Sequence, residues 1–228
     1  GFYGFFMRKN LRNILMAGAI SLASLLPTQK AEAQGNVSGN VEYIQSEKPD
    51  NSYARLQGFY TLPKDVKGFT FLEFYKNGNG YFGKTTLDKA VGEGFGARAV
   101  AYHANEPLKK AGLGVTKVVP HLPKNTFAKI GLIPIWAGNK GRAIGDKALA
   151  QYFANVNLPA GFNLSSFGDW DLITKDKGIQ WEYGEINLDK KLNDVFTIGY
   201  NPVLFNKGNA VPRLEHRVVG RVNFGGKK

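Results

Sequence analysis

The chain has 228 residues, with 30 Lys and Arg against 18 Asp and Glu, a formal net charge of +12 and no Cys. Aromatic residues make up 13% and charged residues 21%, which excludes a disordered chain, and the absence of Cys excludes a disulfide scaffold, a Cys-ligated metal and a thiol nucleophile. The length suits one domain, and since the positive charge forms no basic stripe, no nucleic-acid partner is expected.

The N-terminal segment has the three parts of a secretory signal peptide. Met7 opens a basic segment, the apolar stretch Ile14–Leu26 follows, and an Ala-Glu-Ala site stands at 31–33. Thirteen apolar residues are too few for a membrane-spanning helix, which needs about 20. We therefore expect residues 1–33 to be upstream residues plus a signal peptide, and 34–228 to be the exported domain.

Beyond this segment, apolar and polar residues alternate with a period of two. The alternation is clearest in 37–45, 53–62, 150–158, 162–172 and 214–224. A helical period of 3.6 residues fits none of these segments. Alternation of this kind predicts strands with one apolar and one polar face.

Breaker segments rich in Gly, Pro, Asn, Asp or Lys separate the strands. There are eleven: Ser46–Ser52, Pro63–Gly68, Asn77–Gly80, Asp88–Gly94, Asn105–Gly112, Pro120–Asn125, Ala137–Lys147, Pro159–Gly161, Thr174–Gly178, Asp189–Asp194 and Asn206–Pro212. Eleven connections imply twelve strands, an even number as in bacterial barrels. Because 81–87 and 112–119 alternate poorly, a barrel of ten strands remains the alternative. In 179–188 the alternation changes phase near Gly184, and a β-bulge would restore it.

Aromatic residues are predicted near the strand ends, where they would form the two interfacial belts of a membrane barrel. The belt residues are Tyr43, Tyr53, Tyr102, Trp136, Tyr152, Trp170, Trp181 and Phe224, and the inner belt also takes in Phe59, Phe69 and Phe127. An aliphatic and glycine-rich band separates the two belts.

Over 35–224 this pattern resembles that of bacterial outer-membrane β-barrels, in the size range of small twelve-stranded channels such as the nucleoside-channel type. The resemblance implies an all-β, antiparallel, up-and-down transmembrane barrel in the Gram-negative outer membrane, with outer-membrane lipid and the barrel-insertion machinery as partners. Val222 and Phe224 match the terminal aromatic signal of that class, although 225–228 follow it and Gly220 stands one place from the usual glycine position. The resemblance carries over no functional residue.

The polar faces place a set of charged residues in the lumen. They are Glu42, Arg55, Arg98, Lys129, Asp169, Asp171, Glu182, Glu215, Arg217 and Arg221. These residues would form a selective constriction, or they would pair and help to fill the lumen; both interpretations stay open. The favoured hypothesis is a passive channel for small hydrophilic solutes, with a mild anion preference from the excess positive charge. The alternatives are a non-conducting structural or lipid-interacting barrel that self-assembles into a homo-oligomer, and a soluble periplasmic β-barrel that binds an apolar ligand.

The chain shows no signature of an enzyme. The three histidines His103, His121 and His216 are dispersed and accompany no nucleophile motif. We therefore expect no catalytic activity, no cofactor and no metal site.

Overall fold

The computed structural model describes residues 37–75, 80–105, 110–138, 141–173, 178–205 and 213–225. The predicted signal peptide lies outside these described residues. Within them, no helix is long and apolar enough to cross a membrane.

Strands account for most of the described chain. They are β1 Ser38–Ser46, β2 Tyr53–Leu62, β3 Val66–Tyr75, β4 Tyr81–Gly92, β5 Phe95–Ala104, β6 Lys110–Val118, β7 Thr126–Gly138, β8 Gly141–Asn157, β9 Phe162–Ile173, β10 Gly178–Lys191, β11 Phe196–Tyr200, β12 Val203–Phe205, β13 Arg213–Glu215 and β14 Arg217–Phe224. Short 3₁₀ turns at Pro49–Asn51, Pro63–Asp65 and Pro159–Gly161 connect some of them.

The last four segments are the halves of two interrupted strands. Tyr200 of β11 pairs with Val218 of β14, and Val203 of β12 pairs with Glu215 of β13, so the register continues across the interruption. Pro202 lies in the gap and has no N–H to donate to the ladder, which explains the interruption. The fourteen segments therefore form twelve strands.

The sheet closes on itself. Strands β1 to β10 pair antiparallel in chain order, β10 pairs with β11 and β12, and β14 pairs with both β11 and β1. The molecule is a closed, antiparallel, twelve-strand β-barrel, as predicted, and both weak segments are full strands within β4 and β6.

Two strand boundaries and one β-bulge bear on the predictions. The connection predicted at Ala137–Lys147 is too long, because β7 runs to Gly138 and β8 starts at Gly141. Backbone pairing continues through Gly138 and Gly141, which resemble loop residues in the sequence. The predicted turn Asp88–Gly94 is likewise too long, since β4 continues to Gly92. The β-bulge is present, between Trp181 and Tyr183.

The two ends of the barrel are named by the connections described at one of them. We call the end with the connections 63–65, 93–94, 119–125, 158–161 and 192–195 the turn end, and the opposite end the loop end. The chain enters β1 and leaves β14 at the turn end.

The outer face of the barrel exposes large apolar side chains along the strands. They are Leu113, Val115, Ile130, Leu132, Ile186, Leu188, Ile198, Leu204, Leu214, Val218 and Val222. Ile186 and Leu188 reach this face because of the bulge, which corrects the phase of β10. The wall is therefore apolar on its outer side.

Candidate functional site: the lumen

Arg55 lies at the centre of a buried charge network inside the barrel. Its Nη2 atom lies 2.7 Å from Glu73 Oε1 and 2.8 Å from Glu185 Oε1, and its Nη1 atom lies 3.5 Å from Glu42 Oε2. The same Nη2 donates a hydrogen bond of 2.9 Å to the hydroxyl of Tyr53. Arg55 and the three carboxylates are each at most 6% exposed. Four strands, β1, β2, β3 and β10, thus meet at one guanidinium.

A second arginine extends this network towards the loop end. Arg217 Nη1 donates to the hydroxyl of Tyr53 over 2.9 Å, and its Nε donates to Glu215 Oε1 over 2.7 Å. The buried Glu215 also accepts hydrogen bonds from Ser46 Oγ at 2.8 Å and from Asn51 Nδ2 at 2.7 Å. Each oxygen of the Glu215 carboxylate therefore has a donor, as a buried charge requires.

A third arginine links the network to β10 on the turn-end side. Arg221 forms ion pairs with Glu42 on β1 and with Asp189 on β10. We use the name hub for Arg55, Arg217 and Arg221 together with their five carboxylate partners Glu42, Glu73, Glu185, Glu215 and Asp189. In the hub, carboxylates outnumber guanidiniums.

A separate set of ion pairs crosses the lumen between β4, β5, β7 and β9. Asp88 accepts two hydrogen bonds of 2.7 Å from Arg98 and lies 3.1 Å from Lys129 Nζ. Lys84 Nζ on β4 lies 3.1 Å from Asp169 Oδ2 on β9. Strands β4 and β9 are not neighbours in the wall, so this pair spans the interior.

Gln151 joins the Asp88–Arg98 ion pair to the Lys84–Asp169 ion pair. Its Oε1 atom accepts a hydrogen bond of 3.1 Å from Arg98 Nη1, and its Nε2 atom donates one of 3.1 Å to Asp169 Oδ1. The bridge makes one continuous polar network from β4 to β9, in which the partners orient one another.

Apolar side chains fill the lumen alongside the charges. One buried cluster comprises Val100, Tyr102, Ile133 and Leu149, with Phe82 packed against it. The other comprises Ile44, Tyr53 and Val219, with Tyr75 beside it. These residues come from eight strands, and with the hub they pack much of the interior.

A cavity of about 590 Å³ remains inside the barrel. Phenylalanine side chains form much of its wall: Phe59, Phe69, Phe71, Phe127, Phe153 and Phe167. Charged residues of both networks face it as well, including Lys84, Asp88, Arg98, Lys129 and Arg221. The space is amphipathic, with apolar and charged sides.

The structure brings most of the predicted lumen residues together. Six of them line the cavity: Glu42, Arg55, Arg98, Lys129, Asp169 and Arg221. Asp171, Glu215 and Arg217 are buried. The side chain of Glu182 lies outside the described residues, and Glu185 occupies the hub position on that strand.

Sequence reasoning missed several members of the networks. The alternation did not indicate Glu73 as a lumen residue, because phenylalanines occupy both faces of β3. It did not indicate Glu185 because the bulge in β10 shifts the phase of the pattern. Asp88 and Asp189 were assigned to turns that the strands in fact continue through. The period-two pattern of β4, read past Leu87, would have placed Asp88 beside Arg98.

Five of the predicted interfacial aromatic residues lie inside the barrel. Tyr53 is 3% and Tyr102 7% exposed, and both belong to the buried clusters of the lumen. Phe59, Phe69 and Phe127 of the predicted inner belt also line the cavity. The physical reason is that apolar clusters fill part of this interior, so large rings occur on both faces of the wall.

Four other predicted belt residues occupy the outer face. Tyr43 is exposed, and Tyr152, Trp170 and Trp181 form a cluster with ring centroids 5.1 Å apart for Tyr152–Trp170 and 5.0 Å apart for Trp170–Trp181. Trp181 lies against Gly184, where an added Cβ would come within 2.2 Å of its ring. The glycine therefore makes room for the indole on the wall.

The remaining belt residues are at the end of the chain and in β7. Phe224 pairs with Gly39 at the β1–β14 contact and lies on the outer parity with Val222. The side chain of Trp136 is outside the described residues.

Fold and lumen together define a closed antiparallel barrel with a charged, largely filled interior and an apolar exterior. No protein-family model matches the chain. A search of curated proteins also finds no match.

Proposed function

We propose that this barrel spans a bacterial outer membrane and that its lumen is closed to ions at rest. The apolar outer face supports the membrane location, since Leu132 and Val218 are exposed at mid-strand positions, 41% and 62% respectively. A soluble protein rarely exposes an apolar surface that continues around its wall, whereas a membrane barrel requires one.

The single observation that best supports a closed lumen is the buried ion pair between Arg55 on β2 and Glu185 on β10. These strands are not neighbours in the wall, so the 2.8 Å pair passes through the interior. Ions would have to displace a charge pair that is almost fully buried. The function supported best is therefore that of a non-conducting structural or lipid-interacting barrel.

The passive channel for small hydrophilic solutes is the second candidate. One observation favours it: the lumen is closed by side chains, which can rearrange, and the cavity already occupies part of the path. Within the hub, carboxylates outnumber arginines. A mild anion preference would therefore have to come from lumen residues outside the hub.

The membrane location predicts a strong penalty for an outward charge. Leu132→Arg, near the middle of β7, is expected to destabilise the barrel folded in lipid vesicles by about 2–4 kcal/mol, because the guanidinium would enter the hydrocarbon. Val91→Arg, close to the turn 93–94, is the matched control and should cost only about 0–1 kcal/mol. Denaturant titration of the 34–228 chain in vesicles measures both.

The soluble periplasmic alternative predicts a different result. Leu132 is already exposed to solvent in that case, so Leu132→Arg would change stability by no more than about 0.5 kcal/mol. Equal, small effects at both positions, together with gel mobility in detergent that does not change on heating, would overturn the membrane proposal. Heat-sensitive mobility and a penalty confined to Leu132 would support it.

A further inference from the structure

The phenylalanine-lined cavity is not explained by a closed structural barrel. Phe59, Phe127 and Phe153 face it and are 40–45% exposed. Aromatic surface left in contact with water costs about 25 cal/mol per Å² relative to burial. A barrel that needed only to be plugged would gain stability by closing this space, as it does around Ile133 and Leu149.

The rings form two walls. Phe59, Phe69 and Phe71 make a ladder on β2 and β3, with centroids 4.9 Å and 5.9 Å apart. Phe127 and Phe153 make a second pair on β7 and β8, with centroids 6.1 Å apart. An apolar or aromatic body placed between the walls would contact rings on both sides.

The charge beside the second wall is unbalanced. Asp88 carries one negative charge and is shared by two cations, Arg98 and Lys129. Lys129 pairs in register with Phe153 and lies two residues from Phe127 on the same face of β7. A positive charge in excess therefore lies directly next to the aromatic pair.

The position of this cation limits where an anionic group could bind. On the β1 and β10 side of the cavity, Glu42 and Asp189 both form ion pairs with Arg221, and their carboxylates would repel an anionic ligand. Lys84 is balanced by Asp169. Among the cavity-lining cations that the structure describes, Lys129 shares its carboxylate partner, Asp88, with a second cation, Arg98.

We propose that the cavity is a binding site for an amphiphile with an apolar or aromatic body and a single carboxylate. The carboxylate would pair with Lys129, and the body would lie between the two phenylalanine walls. The volume of about 590 Å³ falls within the range of about 300–1,000 Å³ of small-molecule sites. This inference goes beyond the proposed function, and it holds for a barrel that conducts or does not conduct.

The test is calorimetric titration of the 34–228 barrel in lipid nanodiscs, with empty nanodiscs subtracted to remove partitioning into lipid. Decanoate represents a lipid-derived acid, 2-naphthoate represents a free aromatic acid, and decanol is the uncharged counterpart. Saturable binding of either acid, at least about tenfold tighter than that of decanol, is expected because a charged hydrogen-bond partner is worth one tenfold step or more. Which acid binds tells the two sources apart.

Variants separate the cavity from other binding modes. Lys129→Met should weaken binding of the acid about tenfold and leave decanol unchanged, and Phe153→Ala and Phe127→Ala should weaken both. Phe196→Ala removes a ring of similar exposure from the outer face at the same end and serves as the matched control. Heat-sensitive gel mobility shows that each variant is folded.

Three results would overturn the inference. They are heat no greater than that of empty nanodiscs, decanol binding as tightly as the acids, and folded cavity variants that bind as the wild type does. A barrel that fails to insert into nanodiscs contradicts the proposed membrane location instead, so the two failures are distinguishable.

Discussion

Replacing Arg55 with methionine is expected to lower the free energy of unfolding of the barrel by about 3–5 kcal/mol. The guanidinium is the common partner of Glu42, Glu73 and Glu185, all of them nearly inaccessible to water. Methionine has a similar length and fills the space, so the loss reports the charge rather than a cavity.

The size of the effect follows from what remains after the substitution. Three carboxylates from three strands would stay buried near one another, with Arg221 alone compensating Glu42. Buried charges without a partner cost several kcal/mol each, and the cost exceeds what the pair itself contributes. Conversion of the neighbours to neutral groups should therefore restore part of the loss.

Urea unfolding of the barrel in vesicles, followed by tryptophan fluorescence, measures this prediction. Arg213→Met, on an exposed arginine at the loop end, is the control and should change stability by less than about 0.5 kcal/mol. The triple variant Arg55→Met, Glu73→Gln, Glu185→Gln should be more stable than Arg55→Met alone. A loss below 1 kcal/mol for Arg55→Met, or no recovery in the triple variant, would show that the hub does not stabilise the fold as described.

The number of strands was accessible from the sequence because two independent signals agree. Alternation marks one face of each strand, and Gly, Pro and Asn mark each reversal, as at Pro63–Asp65 and Pro159–Gly161. Where only one signal was present the boundaries failed. Residues 137–147 carry turn-forming residues, yet the strands β7 and β8 pair through most of them.

The composition of the interior was less accessible. Alternation predicts polar residues inside, but Phe69 and Phe71 are on the same inner parity as Glu73. An inner aromatic and an outer aromatic look alike in a sequence, since large apolar side chains occur on both faces of the wall. The distinction depends on which rings fill the lumen, and this is set by contacts between strands far apart in the chain, such as Phe82 with Tyr102.

The partners of the predicted charges depend on the same long-range contacts. Arg55 was a recognisable lumen residue, but its contact with Glu185 joins residues 130 apart in the sequence. A bulge at residue 182 then decides the face on which Glu185 lies. Sequence periodicity cannot locate such a bulge to the residue, so the hub could be predicted as a set of charges and not as a set of pairs.

The largest functional effect is expected from opening the lumen. The wild-type 34–228 barrel, reconstituted in a planar bilayer, should show no steady ionic conductance, because the hub and the buried apolar clusters occupy the path. The variant Tyr53→Ala, Arg55→Ala, Glu185→Ala should show discrete conductance steps. It removes the pair that joins β2 to β10 and the tyrosine to which both Arg55 and Arg217 donate.

The contrast between these two proteins decides between the closed barrel and the passive channel. Tyr43→Ala, which removes an exposed tyrosine from the outer face, is the control and should stay silent like the wild type. Steady steps in the wild type would support the channel, and their reversal potential would then measure the anion preference directly. Silence of the triple variant, in a barrel shown by gel mobility to be inserted and folded, would mean that the hub is not the barrier. The apolar cluster of Val100, Ile133 and Leu149, whose side chains are at most 2% exposed, would then be the barrier that closes the lumen.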